Sequence, residues 1–210
     1  YCPPGQGSAC TAPVGHWKLD ENTGTTAQDS STNNLSGTLT NSPAWGIGKL
    51  GSSVDFDGSN DYIEVTSPSL PTGDFSYSTW VNLDANTDEA ILVALDGSGV
   101  NELQLFVSSA NKLVVILDGT TVLTSTTSIS TATCSHLEVT RSGATVIAYF
   151  NGVSDPTTGS LSNTLNFSTC SLLIGTDADS VCTGSLGNYL DGRIDDIRVY
   201  NYARTPTQVA

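Results

Sequence analysis

The sequence predicts an all-β protein, a two-sheet antiparallel β-sandwich, on three observations. Ser and Thr make up about a quarter of the 210 residues and are interleaved with Val, Ile, Leu and aromatic residues. That is the composition of strands with solvated faces. Turn signals recur at sandwich-like intervals: Asp57-Gly58, Asp96-Gly97, Asp118-Gly119, Ser142-Gly143, Asn151-Gly152 and Asp191-Gly192. Between them lie short runs of alternating apolar and polar residues, and helical periodicity never persists beyond a few residues.

In chain order, residues 1–13 form a Cys/Pro/Gly-rich tail, and the sandwich is expected over residues 14–204. Phe75 to Leu83 places Phe75, Tyr77, Val81 and Leu83 on one face and Ser76, Ser78, Trp80 and Asn82 on the other. Leu103, Leu105 and Val107 alternate with Gln104 and Phe106. Val146, Ala148 and Phe150 alternate with Thr145, Ile147 and Tyr149, and run into Asn151-Gly152, the strongest short hairpin signal. Strands do not alternate with helix-length segments, which excludes a parallel α/β sheet. No long internal repeat suggests a propeller or solenoid. About a dozen strands are most economically packed as two face-to-face sheets. Residues 205–210 read as the start of a truncated helix or a linker, because Thr205-Pro206-Thr207-Gln208 has the form of a capping box. A chain that opens on Tyr1 and contains no Met is expected to be a processed product or a piece of a longer protein.

A formal net charge of -14, from 21 acidic and 7 basic side chains, excludes nucleic acid as a partner, since phosphate runs must be neutralised by cations. No apolar run approaches the roughly 18 residues that cross a bilayer, so no membrane insertion is expected. The acid surplus favours a hard cation with oxygen ligands, calcium above all. Five cysteines point to an extracellular or cell-surface location. Cys2 and Cys10 bracket a Pro/Gly-rich stretch and Cys170 and Cys182 a polar loop; proximity suggests these two disulfides among about 15 arrangements. Cys134 is then left over. The tail, or an unpaired Cys2 or Cys134, offers a route to self-association.

The segment from His16-Trp17-Lys18-Leu19-Asp20 to Ser31 is followed by Gly48-Lys49-Leu50-Gly51 and by Phe56-Asp57-Gly58-Ser59-Asn60-Asp61-Tyr62-Ile63. Asp191-Gly192-Arg193-Ile194-Asp195-Asp196-Ile197-Arg198-Val199-Tyr200-Asn201 closes the domain. Together they resemble the LamG-like jelly-roll domains of bacterial extracellular proteins, within the concanavalin A-like lectin and glucanase superfamily. Ser135 to Arg141, Tyr149-Phe150-Asn151-Gly152 and Leu173-Ile174-Gly175 fit the same pattern in the same order. Cys134 stands where the family usually has a Trp. The resemblance implies a jelly roll whose first and last strands lie side by side. It leaves function open among sugar-binding, adhesion and spacer roles. The expectation is a non-catalytic, calcium-stabilised module for cell-surface adhesion or assembly. A lectin-like module or a fibre subunit is the alternative, with a glycan or surface protein as partner. A glycan-active enzyme is disfavoured, because the Glu-x-Asp-x-x-Glu pattern of glucanases with this fold is missing.

Asp and Asn favour turns for hydrogen-bonding reasons of their own. Asp195 departs from that reading, because period two from Ile197 and Val199 places it on the core-facing row, where a carboxylate needs a cation or donors. With the resemblance bringing it towards the Asp20 to Asn34 segment, Asp29, Asn33 and Asp195 are the expected calcium ligands, and Asp57 and Asp61 the next candidates. For a sugar, Trp80, Phe106 and Tyr149 fall on the rows opposite the core with Gln104, Asn82 and Glu138, an aromatic platform if their strands share one sheet.

Overall fold

Two antiparallel sheets of eight strands each form a sandwich. The computed structural model describes residues 11–85, 87–95, 101–167, 170–178 and 185–210. The expected tail contacts, the Asp96-Gly97 turn, Cys2, Cys10 and Cys182 lie outside the described residues. In chain order the strands are β1 (Gly15–Trp17), β2 (Thr26–Ala27), β3 (Gly37–Thr40), β4 (Ala44–Ile47), β5 (Ser52–Asp57) and β6 (Tyr62–Val65). Next come β7 (Phe75–Leu83), β8 (Glu89–Leu95), β9 (Asn101–Val107), β10 (Lys112–Leu117), β11 (Thr120–Ser128) and β12 (Ser135–Ser142). The chain closes with β13 (Thr145–Phe150), β14 (Val153–Ser160), β15 (Leu172–Ile174), β16 (Asp177–Ala178), β17 (Leu186–Gly187), β18 (Asp191–Tyr200) and the short helix α1 (Pro206–Val209).

The first sheet runs β14-β13-β12-β7-β18-β5-β4, with β1 added alongside β18. The second runs β11-β10-β9-β8-β15-β6-β3-β2, and β16-β17 form a small ribbon. First and last strands are neighbours, with His16 opposite Arg198. Between the sheets the alternation read from sequence becomes the core: Phe75, Tyr77, Val81 and Leu83 from β7, Leu103, Leu105 and Val107 from β9, and Val146, Ala148 and Phe150 from β13 are all buried there. Asn151 and Gly152 (φ 50 and 83) make the tight turn between β13 and β14 that their left-handed conformations allow.

Two expectations are corrected. Asp191-Gly192 opens β18 instead of forming a turn, and a Cβ on Gly192 would stand 2.3 Å from the Asn82 carbonyl oxygen. Asp195 is not on the core-facing row. β18 pairs Asp195 with Trp80 and Arg198 with Ser78, so two residues of β18 face one of β7. This is a β-bulge centred on Asp196, whose φ is 51. The extra residue flips the phase, and Asp195 joins Trp80 on the outer face.

One carboxylate couples the sheets at their far edges. Asp155 of β14 accepts backbone N–H bonds from Thr126 and Thr127 of β11 and from Thr157. At the C-terminal end the capping box forms as expected, with Gln208 Oε1 accepting the Thr205 N–H at 2.8 Å.

Candidate functional site

Cross-strand partners present side chains to the same face. The outer face of the first sheet is therefore ordered in rows. One row runs Tyr149, Glu138, Ser78, Arg198 and His16 across β13, β12, β7, β18 and β1. The next holds His136, Trp80 and Asp195. Over these rows opens a cleft of about 410 Å³, with Trp80, His136, Asp196, Arg198, Arg204 and Leu50 in its walls.

Trp80 is half-buried. The ring of His136 lies 5.1 Å from its centroid, tilted by 56°, and Lys49 Nζ stands 5.2 Å from it. Asn151 Oδ1 accepts the His136 backbone N–H at 2.9 Å. Burial, together with the charges of Arg204 and Arg198, pushes the His136 imidazole down to about 4, so it is neutral at physiological pH.

The charged wall is pre-assembled. Asp196 Oδ1 is 2.8 Å from His16 Nε2, and Asp196 Oδ2 is 2.7 Å from an Arg198 guanidinium nitrogen. Burial alone would raise the Asp196 carboxyl; the His16 and Arg198 contacts outweigh it and hold the group below its ordinary value. Arg204 pairs with Glu138 at 2.7 Å, reaches the Gln208 carbonyl, and stacks with its guanidinium carbon 5.0 Å from the Tyr200 ring centroid. Glu138 is fully buried, and burial lifts its carboxyl to about 7 against the pull of Arg204 and Arg198. Lys49, Arg198 and Arg204 are three of the chain's seven cations. Sequence reading missed this concentration, because it arises only when the Gly48–Gly51 turn, β18 and the C-terminal segment meet. His16 and Asp196 stood in the quoted motifs; their phase across the bulge hid the pairing.

The other predicted residues scatter. Gln104 and Phe106 belong to β9 in the second sheet, so they do not share a platform with Trp80 and Tyr149. Phe106 packs against a separate apolar cluster of Ala90, Val93, Leu95, Cys170, Leu173 and Ala178. Tyr149 does share the sheet of Trp80, but is buried. Asp29 accepts the N–H groups of His16, Ser31 and Leu35 and the Ser31 hydroxyl, at 2.7–2.9 Å, which holds its own loop. Asn33 Nδ2 donates to the Val14 carbonyl. Asp195 is tied by Oδ2 to the Leu50 N–H at 2.7 Å, and burial lifts its carboxyl to about 6. Its Oδ1 has no hydrogen-bond partner; Ser53 Oγ and Asn82 Oδ1, also without one, belong to residues lining the same small cavity.

Asp57 and Asp61 line a second cleft, of about 400 Å³, with Asp55, Asp84 and Asp191. Burial and the Asp57 charge raise Asp61; burial and the charges of Asp84, Asp55 and Asp57 raise Asp191. Among the described residues, no group of three or more His, Cys, Asp or Glu is gathered closely enough to hold a metal ion. Cys170 is disulfide-bonded, and Cys134 is an exposed free thiol. Among the described residues, no helix is long and apolar enough to cross a membrane.

The family model described as the concanavalin A-like lectin/glucanases superfamily matches residues 57–210. No curated protein matches the chain by sequence. Among solved structures, domain 4 of AbnA, an extracellular arabinanase from Geobacillus stearothermophilus, seen with arabinotriose, is similar at 22% identity and TM-score 0.69. That alignment covers 94% of this chain and 96% of that one. The binding domain of Paraclostridial Mosquitocidal Protein 1 is similar at 14% identity and TM-score 0.72, covering 94% of this chain and 51% of that one. The Trypanosoma rangeli sialidase is similar at 15% identity and TM-score 0.67, covering 95% of this chain and 32% of that one. The chain thus spans about half of the toxin domain and about a third of the sialidase. These likenesses are of fold.

Proposed function

Since the chain belongs to the concanavalin A-like lectin/glucanases superfamily, and its outer sheet face carries an aromatic cleft walled by pre-positioned polar groups, we propose that it is a non-catalytic, extracellular carbohydrate-binding module. The carrying observation is Trp80, a half-buried indole on the cleft wall. One ring face on a sugar, with guanidinium and amide donors beside it, is the usual chemistry of glycan recognition. The arabinotriose bound to the AbnA domain supports the same reading for a chain of matching extent. Non-catalytic action rests on the state of the carboxylates. Asp196 is committed to His16 and Arg198, and Glu138 lies fully buried behind Arg204, so neither is presented to a glycosidic bond. Glycan-array binding that Trp80→Ala removes, in a variant with unchanged circular dichroism, is the expected result; arrays that stay blank, or binding indifferent to Trp80, would refute the reading.

Adhesion or assembly through self-association is a second reading, favoured by the exposed Cys134 thiol and by Ile47, at the end of β4, and Leu50, on the turn that follows, which are 86% and 48% exposed. A disulfide-linked dimer on non-reducing electrophoresis that Cys134→Ser abolishes would support it, and a monomer by both electrophoresis and size-exclusion chromatography would exclude it. Calcium enters this proposal as a stabilising ion, with the cleft lined by Asp55, Asp57, Asp61, Asp84 and Asp191 as its candidate position, since Asp29, Asn33 and Asp195 are held apart.

A further inference from the structure

We propose, resting on the glycan-binding reading, that the cleft beside Trp80 selects sugars that carry a carboxylate. Among the side chains in the cleft walls, the hydrogen-bonding capacity left to a ligand is rich in donors and poor in acceptors. Asp196, the carboxylate in the wall, is already taken on both oxygens by His16 and Arg198. Glu138 is fully buried and holds Arg204 from behind. Asn151 has spent its Oδ1 on the His136 N–H, which leaves its amide Nδ2 as a donor. A guanidinium carries five N–H donors, and the contacts above occupy only part of each set on Arg198 and Arg204.

Preorganisation strengthens the case. A buried carboxylate fixes each guanidinium, so the remaining N–H groups need no reordering to receive a ligand. A planar carboxylate can accept two such N–H groups at once, in charge-assisted bonds about twice as strong as neutral ones. A neutral sugar hydroxyl that accepts one of these bonds must still place its own proton, and acceptors for it are scarce here. The protein's overall charge of -14 does not forbid an anion, because exposed acids farther than roughly 8 Å are screened at physiological salt. Sulfate shares the anionic chemistry and can also meet the fork with two oxygens, but it is far less basic than a carboxylate and accepts each bond more weakly.

The test uses the full chain on an array of matched glycans: oligogalacturonides beside their carboxyl-reduced forms, sialyllactose beside lactose, and sulfated galactans. Isothermal titration calorimetry on the best-bound pair follows. The carboxylated member is expected to bind at least about tenfold tighter, ~1.4 kcal/mol, with the advantage shrinking as NaCl rises and the sulfated probe weaker than the carboxylated one. Arg198→Gln should bring the ratio towards one; the wild-type comparison decides the matter if that variant misfolds. Equal, Trp80-dependent binding of both members of each pair overturns the selectivity while the glycan reading stands. Sulfated probes binding as tightly as carboxylated ones overturn the carboxylate assignment. Arrays on which no glycan binds remove the glycan reading and this inference together.

Discussion

Replacing Asp155 by Ala removes the carboxylate that couples the two sheets at their edges. Asp155 is 3% exposed; its Oδ1 accepts the Thr126 N–H at 3.1 Å and the Thr157 N–H at 2.9 Å, and its Oδ2 accepts the Thr127 N–H at 2.7 Å. The substitution leaves these three backbone donors without their acceptor. Thr126 and Thr127 lie at the surface. Water therefore reaches them, and each loss costs nearer about 1 kcal/mol than the buried limit of ~3, or about 3 kcal/mol in all. In a domain of this size that lowers Tm by roughly 6–12 °C. The pH dependence has a definite sign. Burial alone would raise the Asp155 carboxyl, but the Thr127, Thr126 and Thr157 bonds outweigh it and hold the group well below its ordinary value. A depressed folded-state value contributes stability that is present above the unfolded value of about 4 and lost as pH falls. Urea denaturation followed by circular dichroism should show a constant gap between wild type and Asp155→Ala from pH 5 to 8, narrowing steadily below about pH 4. A midpoint within a degree of wild type, or a gap indifferent to acid, would refute the clamp.

Glu138 carries the opposite sign. Its folded-state carboxyl, raised by burial to about 7, contributes stability at low pH that is lost as pH rises through that value. Wild type should therefore lose stability from about pH 5 to 8 more steeply than Glu138→Gln, and parallel curves would count against the assignment. Asp195, raised to about 6, contributes to the slope that remains in the variant, together with the raised Asp61 and Asp191. Calcium is expected to raise the thermal midpoint, by up to ~2.7 kcal/mol of stabilisation at about a hundredfold excess over Kd, and excess chelator should reverse it. Identical midpoints with and without chelator would end the calcium proposal.

What was legible in the sequence follows from how local each signal is. The β7 and β13 alternations and the Asn151-Gly152 turn depend on neighbours a few residues away, and the structure reproduces them. Asp195 shows where such reading stops. Its face depends on one extra residue at Asp196, and a bulge is set by the strand on the other side of the ladder, which period two within β18 does not contain. Phe106 and Trp80 each stood correctly opposite their own core rows, yet the sheet order separates them. Arg198 stood in the quoted closing segment without an assigned role, and Arg204 stood in no quoted motif. Their role emerges from cross-sheet rows and from the C-terminal turn folding over β12.

The pairing of β1 with β18 has a mechanical consequence. The Val14 N–H bonds the Val199 carbonyl, and the Tyr202 hydroxyl reaches the Thr11 carbonyl at 3.2 Å, so the chain enters and leaves the sandwich at adjacent points. Force applied through flanking segments would pull two antiparallel neighbours apart from the same end. It would load the β1–β18 hydrogen bonds one after another, as a zipper is opened, instead of shearing them all at once. Drawing the first strand out also extracts the fully buried Trp17 indole from the core, so the strand resists by more than its hydrogen bonds, and the Tyr202–Thr11 link breaks before the His16–Asp196 and His16–Arg198 contacts.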